Sequence, residues 1–343
     1  MSASKKFKNP RAQHNFQGRT CSIVSVGSYV PARILTNADL AKTVETSNEW
    51  ILTRTGIEQR RIAAEDEFTS DLAARAALRA MEKGGITPAQ IDLIITATVT
   101  PDMPFPSTAC LVQQKIGAHR AAAFDIEAAC SGFIFGLEIG QQFIMTRTYE
   151  TVLVIGAEKL SSIVDWTDRN TCVLFGDGAG AAILQHRPQA HGLLTACMGS
   201  DGQKAELLSV PAGGSRCPAT AESVSKRLHF LRMDGKETFK NAINAMYMAA
   251  QEALRRCELE ITQIKCVIPH QANRRIIDAV GERLGVKPEQ FFVNVEKYGN
   301  TSAASVAIAL DEAVEGGHVH RGDLILLIVF GAGLTWGAAV IEW

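Results

Sequence analysis

Three residues of this 343-residue chain place a reactive side chain where a strand pattern gives way to a helix pattern: Cys130, His270 and Asn300. Cys130 follows AFDIEAA and precedes SGFIFGLEI, so the exposed N–H groups and positive end of the next helix would stabilise a thiolate. Taken alone it fits a buried structural thiol equally well. His270 closes IKCVIPH and precedes QANRRIIDAVGERLG, at the carboxyl end of a strand, where open α/β folds build their clefts. On its own it reads as a hydrogen-bonded structural histidine. Asn300, in KYGNTSAASVAIAL, reads by itself as a helix cap. Together they supply a nucleophile, a base or donor, and a neutral amide donor, which is an acyl-transfer constellation. Two chemistries use such a set: thiol hydrolysis of papain-like logic, and carbon–carbon condensation through a thioester. The hydrolase would want C-G-[SA]-C-[WY] around the thiol, and AACSG does not provide it.

The elements that must hold these side chains alternate along the chain. Strands are expected at Ser22–Val30, Ile91–Thr98, Ala122–Ile126 and Val152–Ala157, with helices at Ser70–Lys83 and Ser131–Met145. The second half repeats the order, with helices at Lys236–Cys257, Asn273–Leu284 and Thr301–Val314. Its strands are expected at Ile264–Ile268, Phe291–Asn294 and Leu324–Val329. FGDGAGAAIL, from 175, and FGAGLTWGAAVI, from 330, look like two versions of one element. Duplicated α/β halves follow, with mixed sheets covered by helices in layers. The division expected is a flexible tail over 1–18, a first half over 19–190 that carries the cysteine, and a second half over 191–343 with the histidine and asparagine.

Composition excludes several classes. Hydrophobic residues make up 46% and charged residues 21%, which fits an ordered chain with a large core. Thirty-five Lys and Arg against 36 Asp and Glu leave a net charge of −1, unlike a protein that coats nucleic acid. The eight cysteines show neither C-x-x-C pairs nor zinc spacing, so no metal is expected, and free thiols suit a reducing cytoplasm. Leu324–Ile341 is uncharged and nearly long enough to span a membrane, but Gly331, Gly333 and Gly337 break it into a buried strand-turn-strand. GDGAG lacks the Lys-Ser/Thr of a phosphate loop and is not the dinucleotide fingerprint.

With these residues in place, the chain resembles the 3-oxoacyl-(acyl-carrier-protein) synthase III family of condensing enzymes. The resemblance rests on TSNEWILTRTGI (46–57), FPSTAC (105–110), AACSGF (128–133), TDRNTCVLFGDGAGAA (167–182), PHQANRRI (269–276), GNTSAASVAIALDEA (299–313) and FGAGLTWGAA (330–339). It implies the thiolase-like fold, a homodimer, and an acyl-CoA primer (acetyl-CoA first among candidates) condensed with malonyl-acyl carrier protein. No organic cofactor is implied. Cys130 would accept the acyl group, and His270 and Asn300 would hydrogen-bond the malonyl thioester carbonyl. The Gly333 N–H would serve as an oxyanion donor. Thr46, Trp50, Arg54, Arg169, Gly235 and Asn273 would hold coenzyme A, with the adenine between Trp50 and Arg169. Phe105, Leu207 and Leu208 would shape the acyl pocket. Lys240, Gln271, Ala272, Asn273, Arg274 and Arg275 would meet the acidic carrier protein.

Single positions separate the neighbouring branches. Elongating condensing enzymes carry a second histidine in place of Asn300, and thiolases need a second cysteine in the C-terminal glycine loop, which FGAGLTWG lacks. A secondary-metabolism ketide synthase or acyltransferase of the same fold is the alternative. The family's loop commonly reads G-G-G, and Ala332 stands in its middle here.

Overall fold

The strand Thr151–Glu158 is buried at all eight residues, and such a run is stable only with cover on both faces. The computed structural model describes residues 20–187 and 192–343 and supplies that cover in five layers. The expected tail at 1–18 and the division at 190/191 lie outside the described residues.

The first sheet runs in the order Ser22–Tyr29, Gly178–Gln185, Thr151–Glu158, Leu93–Ala97, Ala122–Ile126. The second runs Leu193–Ser200, Thr335–Glu342, Leu324–Gly331, Cys266–Pro269. Read in those orders, each sheet pairs antiparallel, antiparallel, then parallel, which is the duplication expected from the glycine motifs. The uncharged 324–341 stretch is indeed two antiparallel strands joined by a tight turn. Among the described residues, no helix is long and apolar enough to cross a membrane.

The helices Thr69–Gly84 and Thr108–Ile116 cover the outside of the first sheet, and Gly235–Arg256 and Arg274–Leu284 the outside of the second. Gly132–Met145 and Ser305–Glu315 lie between the sheets. Their apolar faces join one core, in which Phe133 and Leu137, Val306 and Leu310 meet Leu93 of one sheet and Leu327 of the other. On the outside, Ala73, Ala76, Ala77 and Ala80 recur at helical spacing and are fully buried, which brings the Thr69–Gly84 backbone close to its sheet.

Two expected elements differ. Phe291–Asn294 is not a strand: a single parallel bridge joins Phe291 to Val267, where the first sheet has its fifth strand. The Gln271 side chain occupies the place of a pairing neighbour, accepting from Asn294 N–H at 3.0 Å and donating to Pro269 O at 2.7 Å. The helix expected over 301–314 begins instead with a 3-10 turn, Ser302–Ala304, because Ser302 sits at φ 49° and breaks the helical run before Ser305. The hairpin Arg33–Thr36/Gln59–Ile62 and the helix Asn48–Thr55 between its strands complete the site's rim.

Candidate active site

Cys130, His270 and Asn300 line one cavity of about 590 Å³, together with Gly331, Phe330 and Leu208. That volume suits a small-molecule site.

Each side chain is fixed by its local chain. After the strand Ala122–Ile126 the backbone reaches Ala129 at φ 46°, and the 3-10 turn Ala129–Ser131 presents Cys130 just before the helix Gly132–Met145. Burial pushes the Cys130 thiol up to about 12, with the Ser302 hydroxyl opposing and the negative Glu158 adding to the rise. Gly331 is required opposite it: a Cβ there would stand 2.7 Å from Cys130 N.

His270 follows the strand Cys266–Pro269, and its backbone N–H donates to Ile328 O at 2.7 Å. Its Nδ1 lies 2.6 Å from Ser305 Oγ, at the start of a central helix. Burial drives the imidazole's pKa down to about 3, so the ring is neutral near pH 7. With Ser305 donating to Nδ1, the ring proton sits on Nε2, and that edge is a neutral donor. Asn300 Oδ1 accepts the Ser302 N–H at 2.8 Å, so the asparagine caps a 3-10 turn and leaves its NH2 group for a ligand.

The other expected residues divide. Trp50, Arg54, Gly235, Ala272, Asn273 and Arg275 lie on the cavity wall; Thr46, Arg169, Lys240, Arg274 and Gly333 do not. Arg169 still belongs to the rim, since its guanidinium is 5.0 Å from the Trp50 ring centre, and that of Arg54 is 4.8 Å from it. The Thr46 hydroxyl is buried without a hydrogen-bond partner. Asn273 caps the helix Arg274–Leu284 through Arg275 N at 2.9 Å and donates to Arg54 O at 3.0 Å, tying two rim elements together. Lys240 is exposed, and Arg274 is exposed and paired with Asp278. Gly333 stands at φ 125° beside Thr335, while Phe330 and Gly331 form the wall.

One expectation is corrected. Gln271 is 1% exposed and spends its amide on backbone groups, so it cannot meet a partner's surface. Phe105 is 83% exposed and off the cavity of its own chain, whereas Leu208 lines the cavity and Leu207 packs beside Phe239 in the outer core of the second sheet. The sequence reading passed over Glu158, Ser302 and Ser305. Glu158 had a signal, as the one acid in an otherwise uncharged strand, TVLVIGAE. Among the described residues, no group of three His, Cys, Asp or Glu side chains could hold a metal ion.

Comparison with known proteins agrees with this geometry. The family model described as 3-oxoacyl-[acyl-carrier-protein (ACP)] synthase III matches residues 124–202, and its C-terminal counterpart matches residues 254–343. The chain is 56% identical to the beta-ketoacyl-[acyl-carrier-protein] synthase III of Caldanaerobacter subterraneus, over 94% of this chain and 97% of that one. It is 54% identical to the enzyme of the same name from Natranaerobius thermophilus, over 94% and 98%. The crystal structure of 3-oxoacyl-[acyl-carrier-protein] synthase III from Aquifex aeolicus superposes with a TM-score of 0.88 at 48% identity, covering 94% of this chain and all of that one. With its duplicated sheets and the cysteine, histidine and asparagine on one cavity wall, the chain belongs to the 3-oxoacyl-(acyl-carrier-protein) synthase III family of thiolase-fold acyltransferases.

Proposed function

We propose that this chain condenses an acyl-CoA primer, acetyl-CoA first, with malonyl-acyl carrier protein. The products are a 3-oxoacyl-acyl carrier protein, CoA and CO2, and the step initiates type II fatty acid synthesis. The observation that carries the proposal is the convergence of one thiol and two neutral donors on a cavity rimmed by Trp50 and Arg54.

The Cys130 thiolate attacks the thioester carbonyl of the primer and retains the acyl group as CoA leaves. Malonyl-acyl carrier protein then places its thioester oxygen against His270 Nε2–H and the Asn300 amide. Loss of CO2 leaves an enolate on that oxygen, and donors already oriented in a dry cavity stabilise it without reorganising. A neutral His270 matters because a donor with a pKa near 3 for its cation has no second proton to lose at pH 7. The carbanion carbon attacks acyl-Cys130 and expels the thiolate. At the rim, Trp50 offers a ring on which an adenine would stack, with the Arg54 and Arg169 guanidinium groups beside it. Arg275, beside Phe239 at 5.5 Å, and the exposed Lys240 offer positive charge to an acidic carrier protein.

This reading includes a cytoplasmic homodimer that works without metal or organic cofactor. Met103 and Phe105, 44% and 83% exposed on one loop, are apolar surface that a second copy would cover. The test is the intact mass of the protein after exposure to a panel of acyl-CoAs, followed by malonyl-acyl carrier protein. One adduct on Cys130, discharged as 3-oxoacyl-acyl carrier protein, is expected. An adduct elsewhere, or none, would overturn the reading, and turnover without malonyl-acyl carrier protein would favour the alternative acyltransferase.

A further inference from the structure

The mechanism above leaves one buried carboxylate unused. Glu158 ends the strand Thr151–Glu158 and is fully buried. It accepts hydroxyl bonds from Thr100 at 2.5 Å, Thr98 at 3.2 Å and Ser302 at 3.1 Å, and a bond from Val99 N–H at 3.2 Å. None of these donors is a cation, and a carboxylate buried without a countercharge is a poor way to stabilise a fold. What the bonds do achieve is to tie three segments together: the end of this strand, residues 98–100, and the 3-10 turn Ser302–Ala304.

The last of these segments controls Asn300. The Asn300 main chain is pinned on both sides: its N–H donates to Leu174 O at 2.8 Å, and its O accepts the Gly176 N–H at 3.0 Å. Its side-chain oxygen accepts the Ser302 N–H at 2.8 Å, so the direction of that N–H sets the direction of the NH2 group. Ser302 stands at φ 49°, a left-handed backbone that a residue other than glycine keeps only where its surroundings hold it. Two contacts with one strand do so. Gly156 lets the Ser302–Ala304 turn lie directly on the strand, since a Cβ there would stand 2.3 Å from Ala303 O. Two residues further along, Glu158 takes the Ser302 hydroxyl.

We infer that Glu158 is a positioning residue for Asn300: by binding the Ser302 hydroxyl it fixes the Ser302 N–H, which aims the Asn300 NH2 group at the malonyl thioester oxygen. The inference rests on Asn300 being a donor to the enolate, as proposed above. Glu158 transfers no proton in this role. Its charge is not required either, because a protonated or amidated end still bonds a hydroxyl. Enolate stabilisation depends on donors that are oriented before the charge develops. A loosened Asn300 therefore slows decarboxylation, whereas the attack of Cys130 on the primer does not use it.

The test measures two steps apart, with rates taken per folded molecule. Acylation of Cys130 by acetyl-CoA is read by quenched intact mass, and decarboxylation by CO2 release from malonyl-acyl carrier protein with pre-acylated enzyme. E158M keeps the length of the side chain without its polar end. It should release CO2 roughly 10–100-fold more slowly, short of the 10²–10³ that removing a whole donor costs, with acylation at the wild-type rate or above. E158Q loses the same charge but bonds the Ser302 hydroxyl whichever way its amide turns, so CO2 release should return to near the wild-type rate. S302A keeps the backbone N–H and loses the tie, and should slow CO2 release by a larger factor than acylation. If thermal unfolding shows E158M misfolded, S302A decides alone. Wild-type CO2 release in these two variants, or equal slowing of both steps, would overturn the inference. So would E158Q as slow as E158M, since charge and not the bond would then be the active feature. Absence of CO2 release from pre-acylated wild type sinks the condensation reading itself, whereas normal wild-type release with unaltered variants sinks only the positioning role.

Discussion

Replacing Asn300 by Ala separates the two chemical steps. The amide is one of two neutral donors aimed at the enolate oxygen, and losing one such donor costs roughly 3–4 kcal/mol, about 10²–10³ in decarboxylation rate. The structure sets the size of the side effect. Asn300 is 7% exposed and its Oδ1 holds the Ser302 N–H at 2.8 Å, a bond worth about 1 kcal/mol. Loss of that bond bounds any side effect on acylation of Cys130 at roughly fivefold. The assay follows CO2 release from malonyl-acyl carrier protein with pre-acylated enzyme, and separately the appearance of the acyl adduct. Equal slowing of both steps in N300A would refute the enolate role and leave Asn300 a cap.

Trp50→Ala removes the ring on which the adenine of CoA would stack, an interaction worth about 1–3 kcal/mol, so KM for acyl-CoA should rise roughly 5–150-fold in steady-state assays with KM for malonyl-acyl carrier protein at its wild-type value. Gln271→Ala strips partners from Pro269 O and Asn294 N–H; urea unfolding should show a loss of about 1–3 kcal/mol with unaltered KM for the carrier protein. His270 titrates near 3 when folded against about 6.5 unfolded, so the unfolded chain binds the extra proton between those values and stability falls as pH drops through that window. Glu158 has the opposite sign: with a folded pKa of about 7 against 4.5, its contribution is full below 4.5 and is lost as pH rises through 7. Between pH 4.5 and 6.5 the two slopes offset, so the wild-type unfolding free energy should be nearly flat there, whereas that of E158Q should rise with pH up to about 6.5 and then level.

The three reactive side chains were legible because their types are chemically distinct, because Cys130 and His270 follow strands, and because Asn300 precedes the turn that leads into a helix. The mixed sheets followed from the same runs and from the repeated glycine motif. What escaped the sequence were polar side chains that replace backbone. Gln271 looks like a surface amide among PHQANRR, yet it completes a sheet edge, and that role also erased the strand expected at Phe291–Asn294. Phe105 sits in a motif the family resemblance ties to the pocket, but only the folded chain shows it facing outward.

The central layer has a consequence for the chain as it leaves the ribosome. The turn before its first helix carries the thiol, the turn before its second carries Ser302, and the two turns pack together only once both helices lie between the sheets. A nascent chain that ends before residue 300 already carries Cys130 but neither Asn300 nor the Ser302–Ala304 turn that packs against it, so the wall of the cavity around the thiol is incomplete. The full acyl-transfer set is thus assembled only with the strands Leu324–Gly331 and Thr335–Glu342 that finish the second sheet.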